Sequence, residues 1–116
     1  MLVVAGAGPE APRLRSLAAG YAVDLRLLGE VAPAALADWM VAADCFVHPC
    51  RVMPNGRSEG APLVVREALA AGMSVIASAV GGLPELASHE RLTLVAPDDA
   101  AGLAEKIALS MRQSAI

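Results

Sequence analysis

Short apolar runs alternate along the chain with longer stretches in which apolar positions recur every three or four residues. Leu2 to Ala5 is the first run and reads as a strand, followed by the turn Gly6-Ala7-Gly8-Pro9. A helix is predicted from there to about Ala19, with Leu14, Leu17 and Ala18 on one face. Val23 to Leu28 alternates apolar residues with Asp24 and Arg26, the pattern of a strand with one face partly wet. Gly29-Glu30-Val31 makes a loop, and Pro33 opens a helix through Leu36, Trp39 and Met40, with Trp39 expected to serve in helix packing. Asp44 turns the chain into a strand over Cys45 to His48, which Pro49 ends. Arg51 to Ser58, with Pro54-Asn55-Gly56 inside it, is a polar loop.

The stretch from Ser58 to Glu85 carries the densest information. Pro62 suits the first position of a helix, where its missing N–H costs nothing and its φ is already set. Leu63, Val64, Ala68, Leu69 and Ala71 then recur at helical spacing, and Gly72 stands where a left-handed residue closes a helix. Ser74 to Ala77 is a short buried-strand run, and Gly81-Gly82 a turn requiring unusual backbone angles. Leu92 to Val95 is a further strand. Pro97-Asp98-Asp99 caps a last helix bearing Leu103, Ile107 and Met111. Strands are therefore expected near 2–5, 23–28, 45–48, 74–78 and 92–95. Because strand and helix alternate throughout, the expected fold is α/β, Rossmann-like: one doubly wound, all-parallel sheet of about five strands with helices on both faces.

A chain of 116 residues is one domain at most, able to bury roughly two-thirds of its unfolded surface. Its residues are 56% hydrophobic but only 3% aromatic, so the core must be built from Ala, Val, Leu and Ile, as under Ala-rich helices on a parallel sheet. A mean hydropathy of +0.54 raises the question of a membrane span. The longest uncharged run, Ala68 to Pro84, contains Gly72, Gly81 and Gly82 and changes periodicity midway, which a spanning helix does not do. No basic region precedes the apolar start, so no signal peptide is expected. A net charge of −3 without a Lys/Arg run argues against nucleic acid as a partner. Cys45 and Cys50 have neither metal-site nor redox-motif spacing and read as reduced thiols of a cytoplasmic protein.

Two carboxylates mark the chemistry. Glu59 sits just before the helix that Pro62 opens, and Glu67 lies within it. A helix N-terminus preceded by Gly60 offers free N–H groups and the positive end of a dipole, which suits a phosphate, while a nearby carboxylate can accept hydrogen bonds from sugar hydroxyls. The commonplace alternative for Glu67 is a solvated helix-face charge paired with a nearby Arg; for Glu59, a charge interacting with the dipole. A rival site is Gly6-Ala7-Gly8-Pro9-Glu10-Ala11, which satisfies G-x-G-x-x-A after a strand and before a helix, as an NAD or FAD fingerprint requires. The acidic residue that such a site needs at the end of the second strand is not well placed, since Asp24 falls inside that strand and Glu30 past its end.

Glu59-Gly60, Pro62-Leu63, Glu67-Ala68, Gly72, Val75-Ile76 and Gly81-Gly82-Leu83-Pro84-Glu85 together resemble, in order and spacing, the signature of retaining GT-B glycosyltransferases, the group 1 family of glycosyl transferases. Ser74 departs from it mildly, standing where the family often has Pro. Leu2 to Pro9, Leu28 to Val31 and Ala43 to Pro49 resemble other segments of the family's donor domain. The resemblance implies a domain that binds a nucleotide-diphosphate sugar (UDP-, GDP- or ADP-linked) and passes its hexose to an acceptor hydroxyl with retention, in polysaccharide or lipopolysaccharide synthesis, without a required metal or other cofactor. It assigns Glu67 to the ribose hydroxyls and Glu59 to the donor sugar. Gly60 and Ala61 leave room for that sugar. The backbone N–H groups of Leu63 and Val64, in the helix begun by Pro62, meet the diphosphate, and Glu30 and Val31 border the base. Arg51, Arg57 and Arg66 are near in sequence but read more simply as solvated charges, and His48 as structural.

The family's Gly-Arg and Lys that grip the diphosphate are missing, as are its acceptor-binding domain and the first strand of the donor domain. The chain, residues 1–116, thus resembles a single, incomplete donor domain whose strands are expected in the order 2-1-3-4-5. An N-terminal acceptor domain, in cis or in trans, is its expected partner and would carry any contact with a membrane-bound acceptor. Alone, the chain is expected to be inactive, and a non-catalytic fragment is the remaining alternative.

Overall fold

The computed structural model describes residues 1–6, 8–49, 63–79, 84 and 88–114. They fall into two compact units, Met1–Trp39 and Met40–Ile116.

In the first unit, β1 (Leu2–Ala5) and β2 (Leu25–Gly29) pair in parallel, Leu2 opposite Leu25 and Val4 opposite Leu27, with α1 (Ala11–Gly20) between them in sequence. The helix ends in a left-handed residue that is not glycine: Ala22 has φ +54°, and the Val23 N–H reaches back to the Ala18 carbonyl at 2.8 Å. This closure occupies Val23, and it explains why β2 begins at Leu25 and not at Val23 as expected. The far end of the pair is set by two glycines. Gly6, at φ +129°, donates its N–H to the carbonyl of Gly29, itself at φ +69°, over 2.7 Å. Side chains with a Cβ rarely adopt either conformation. None of the described residues of this unit is fully buried. The helix α2 (Pro33–Ala42) begins in it, and Trp39 stays 39% exposed, less covered than a packing residue would be.

In the second unit, β3 (Phe46–His48), β4 (Val75–Ser78) and β5 (Leu92–Val95) form a parallel sheet in the order β3-β4-β5. Every residue of the central strand is buried, so both of its faces are covered. On one face Val75 and Ala77 join Leu92 and the buried side of α3 (Leu63–Ala70), namely Val65, Ala68 and Leu69, with Met40 and Phe46 packed around them. On the other face Ile76 and Thr93 look toward α4 (Ala100–Ser114), whose Lys106, Leu109 and Ser110 border the same cleft. Gly72 closes α3 as its position predicts: φ is +84°, Met73 N–H binds the Ala68 carbonyl and Gly72 N–H the Leu69 carbonyl, both at 3.0 Å. Asp99 caps α4 by accepting the Gly102 N–H on Oδ1 at 2.9 Å.

Every strand pairing within each unit is parallel, as the β-α alternation requires, and the α/β class stands. One expectation is corrected. The strands do not form a single sheet in the order 2-1-3-4-5; they make two ladders, β1-β2 and β3-β4-β5, and none joins β1 to β3 among the described residues.

Candidate functional site

Because β3, β4 and β5 are parallel, their last residues His48, Ser78 and Val95 share one edge of the sheet. Ligands of open α/β sheets bind at this carboxyl edge. The helix that carries the chain from β3 back to β4 must start there, so the amino end of α3, at Leu63, lies on the same edge. Leu63 and Val64 stand at the amino end of α3 as described, and the first N–H groups of a helix have no acceptor within it. Leu63 is 69% exposed and Val64 half-buried, which leaves that turn open to solvent while Val65, Ala68 and Leu69 hold the helix to the sheet.

Glu67 stands one turn further on, about 6 Å along the axis from Leu63. It shares the exposed side of α3 with Arg66, away from the buried residues. Its side chain makes no hydrogen bond or ion pair among the described residues. Arg66, the one described arginine of α3, is not paired with it, while Arg51 and Arg57 lie outside the described residues. Helix terminus and carboxylate together present donors for an anion and, a turn away, an acceptor for hydroxyl groups.

The other predicted residues are placed less informatively. Glu59, Gly60, Ala61 and Pro62 lie outside the described residues, as do Arg51, Arg57, Gly81, Gly82, Leu83 and Glu85. Glu30 and Val31 follow the carboxyl end of β2 in the first unit, Glu30 exposed and Val31 half-buried. His48 lies on the α3 face of the sheet, its ring stacked on that of Phe46 with centroids 6.0 Å apart and planes 14° from parallel. Ser78 was not singled out from the sequence. It is the buried polar residue at the carboxyl edge, and it is partnered there. The only signal for it is a hydroxyl at the end of the run Val75-Ile76-Ala77.

Two features of the second unit are not part of this edge. A cleft of about 180 Å³ bordered by Ser74, Arg91, Thr93, Lys106 and Ser110 lies at the opposite, amino ends of β4 and β5. Cys45 precedes β3, where burial pushes its thiol above the ordinary value; a hydrogen bond with Ser110 opposes that shift and the Asp44 charge adds to it. In the first unit the Gly6–Ala11 turn leads into α1 without a side-chain cap, and a Cβ placed on Gly8 would meet nothing within 4 Å. A dinucleotide fingerprint needs that glycine because the backbone there must approach a pyrophosphate closely. Asp24 is at the amino end of β2, paired with Arg26 at 3.3 Å, while Glu30 comes directly after the strand.

Comparison with known proteins shows the family. The family described as "Glycosyl transferases group 1" matches residues 1–113, nearly the whole chain. This chain belongs to the group 1 glycosyl transferases. It is 41% identical over 97 residues to a GDP-mannose-dependent alpha-(1-6)-phosphatidylinositol monomannoside mannosyltransferase of Mycobacterium tuberculosis, covering 81% of this chain and 25% of that protein. With a GDP-mannose-dependent monoacylated alpha-(1-6)-phosphatidylinositol monomannoside mannosyltransferase of Corynebacterium glutamicum it shares 32% over 105 residues, 90% of this chain and 28% of the other. An amylovoran biosynthesis glycosyltransferase of Erwinia amylovora is 35% identical over 71 residues, 61% of this chain and 17% of its own. The chain thus spans about a quarter of the length of the mannosyltransferases it matches.

Proposed function

We propose that this chain is the donor-binding part of a retaining GT-B glycosyltransferase and that it holds a nucleotide-diphosphate sugar at the amino end of α3. The reading rests above all on Glu67: a solvent-facing carboxylate, without a cationic partner among the described residues, one turn from free N–H donors at the carboxyl edge of a parallel sheet. In it, Glu67 accepts hydrogen bonds from the ribose, the Leu63 and Val64 N–H groups bind the diphosphate, and Glu59 contacts the transferred sugar beside Gly60 and Ala61. Pro62 fixes the start of the helix, and Glu30 and Val31 border the base. Leaving-group charge is met by the helix terminus and basic side chains, which is electrostatic preorganisation, with no metal required.

GDP-mannose is the first donor to test, since two of the similar proteins carry it in their names. The acceptor, a glycolipid or a growing polysaccharide, is held by a further domain in cis or in trans, at the cytoplasmic face of the membrane. No helix among the described residues is long and apolar enough to cross a membrane itself. Titration calorimetry of the purified chain with GDP, UDP and ADP tests the reading. We expect saturable binding of GDP, with UDP and ADP weaker by about tenfold, or about 1.4 kcal/mol. Absence of binding for all three at millimolar concentration would remove the donor site from this chain.

A further inference from the structure

We draw no further inference here: the strongest candidate, the apolar groove of the first unit lined by Leu2, Leu14, Leu17 and Tyr21 between α1 and the β1-β2 sheet, is an unpartnered face, and nothing in the structure shows what covers it.

Discussion

Arg13 donates from Nη1 to Oε2 of Glu10 at 3.1 Å, and this pair sits on the amino end of α1. The helix terminus that a dinucleotide fingerprint would turn toward a pyrophosphate thus already carries a carboxylate, and the nearest cation is engaged with it. The pair is exposed and adds little to stability. Its consequence is for ligands. A pyrophosphate arriving at Gly6–Ala11 meets a like charge first.

NADH is accordingly expected not to bind there. Titrating the chain into NADH should give no saturable rise in nicotinamide fluorescence. Gly8→Val supplies the control, because a Cβ at Gly8 meets nothing within 4 Å and the variant should fold. Saturable enhancement in the wild type that disappears in Gly8→Val would place a dinucleotide in this turn and overturn the donor-site reading.

Glu67→Gln should weaken nucleoside diphosphate binding by about 1–3 kcal/mol, the range for a hydrogen bond to a charged group. The side chain is exposed and makes no hydrogen bond or ion pair among the described residues, so the thermal midpoint should stay where it is. Calorimetry and a melting curve on the same preparation separate the two effects. Equal affinity in wild type and variant would take Glu67 out of the site.

Cys45 should become less stabilising as the solution turns alkaline. Its pKa in the folded chain is raised, by burial first, so the native state keeps a proton that the unfolded state releases near pH 8.5. Between the unfolded and folded values the native state binds more protons. Stability is therefore full below about pH 8.5 and falls as pH rises toward the folded pKa. In a Cys50→Ser background, where Cys45 is the one thiol left, alkylation by iodoacetamide should show a midpoint above that of a free cysteine. A midpoint at or below the free value would contradict the burial seen here.

Much of this architecture is legible in the sequence because each local signal agrees with the next. Gly72 is placed where α3 must end, and the structure puts it in the left-handed conformation with both closing hydrogen bonds. Strands at Leu2–Ala5 and Leu92–Val95 fall where the apolar runs lie. The signal fails where closure is carried by a residue without a recognisable preference. Ala22 does a glycine's work at the end of α1, and this moves the start of β2 by two residues from the expected 23–28 to Leu25–Gly29. Sheet partition was also hidden, since hydrophobic alternation reports which face of a strand is buried and says nothing about which edge is paired. For the candidate site, Glu67 stands out in the sequence through its spacing from Glu59 and Gly72, whereas the buried Ser78 does not, because one hydroxyl after three apolar residues looks like a strand end.

The purified chain should bind donor weakly and transfer no sugar. Transfer needs donor and acceptor held together, and proximity with orientation can lower the barrier by about 7–11 kcal/mol when both are fixed. This chain spans about a quarter of the length of the mannosyltransferases it resembles. A donor held without an acceptor domain remains in contact with water, which weakens every electrostatic interaction meant for the leaving diphosphate. With GDP-mannose and simple acceptors, no mannosylated product should appear by mass spectrometry, although GDP binds in calorimetry. Supplying an acceptor domain, fused or co-expressed, should restore transfer, and Glu67→Gln should then reduce it. Robust transfer by the 116-residue chain alone would show that it is not a donor half but a complete catalyst.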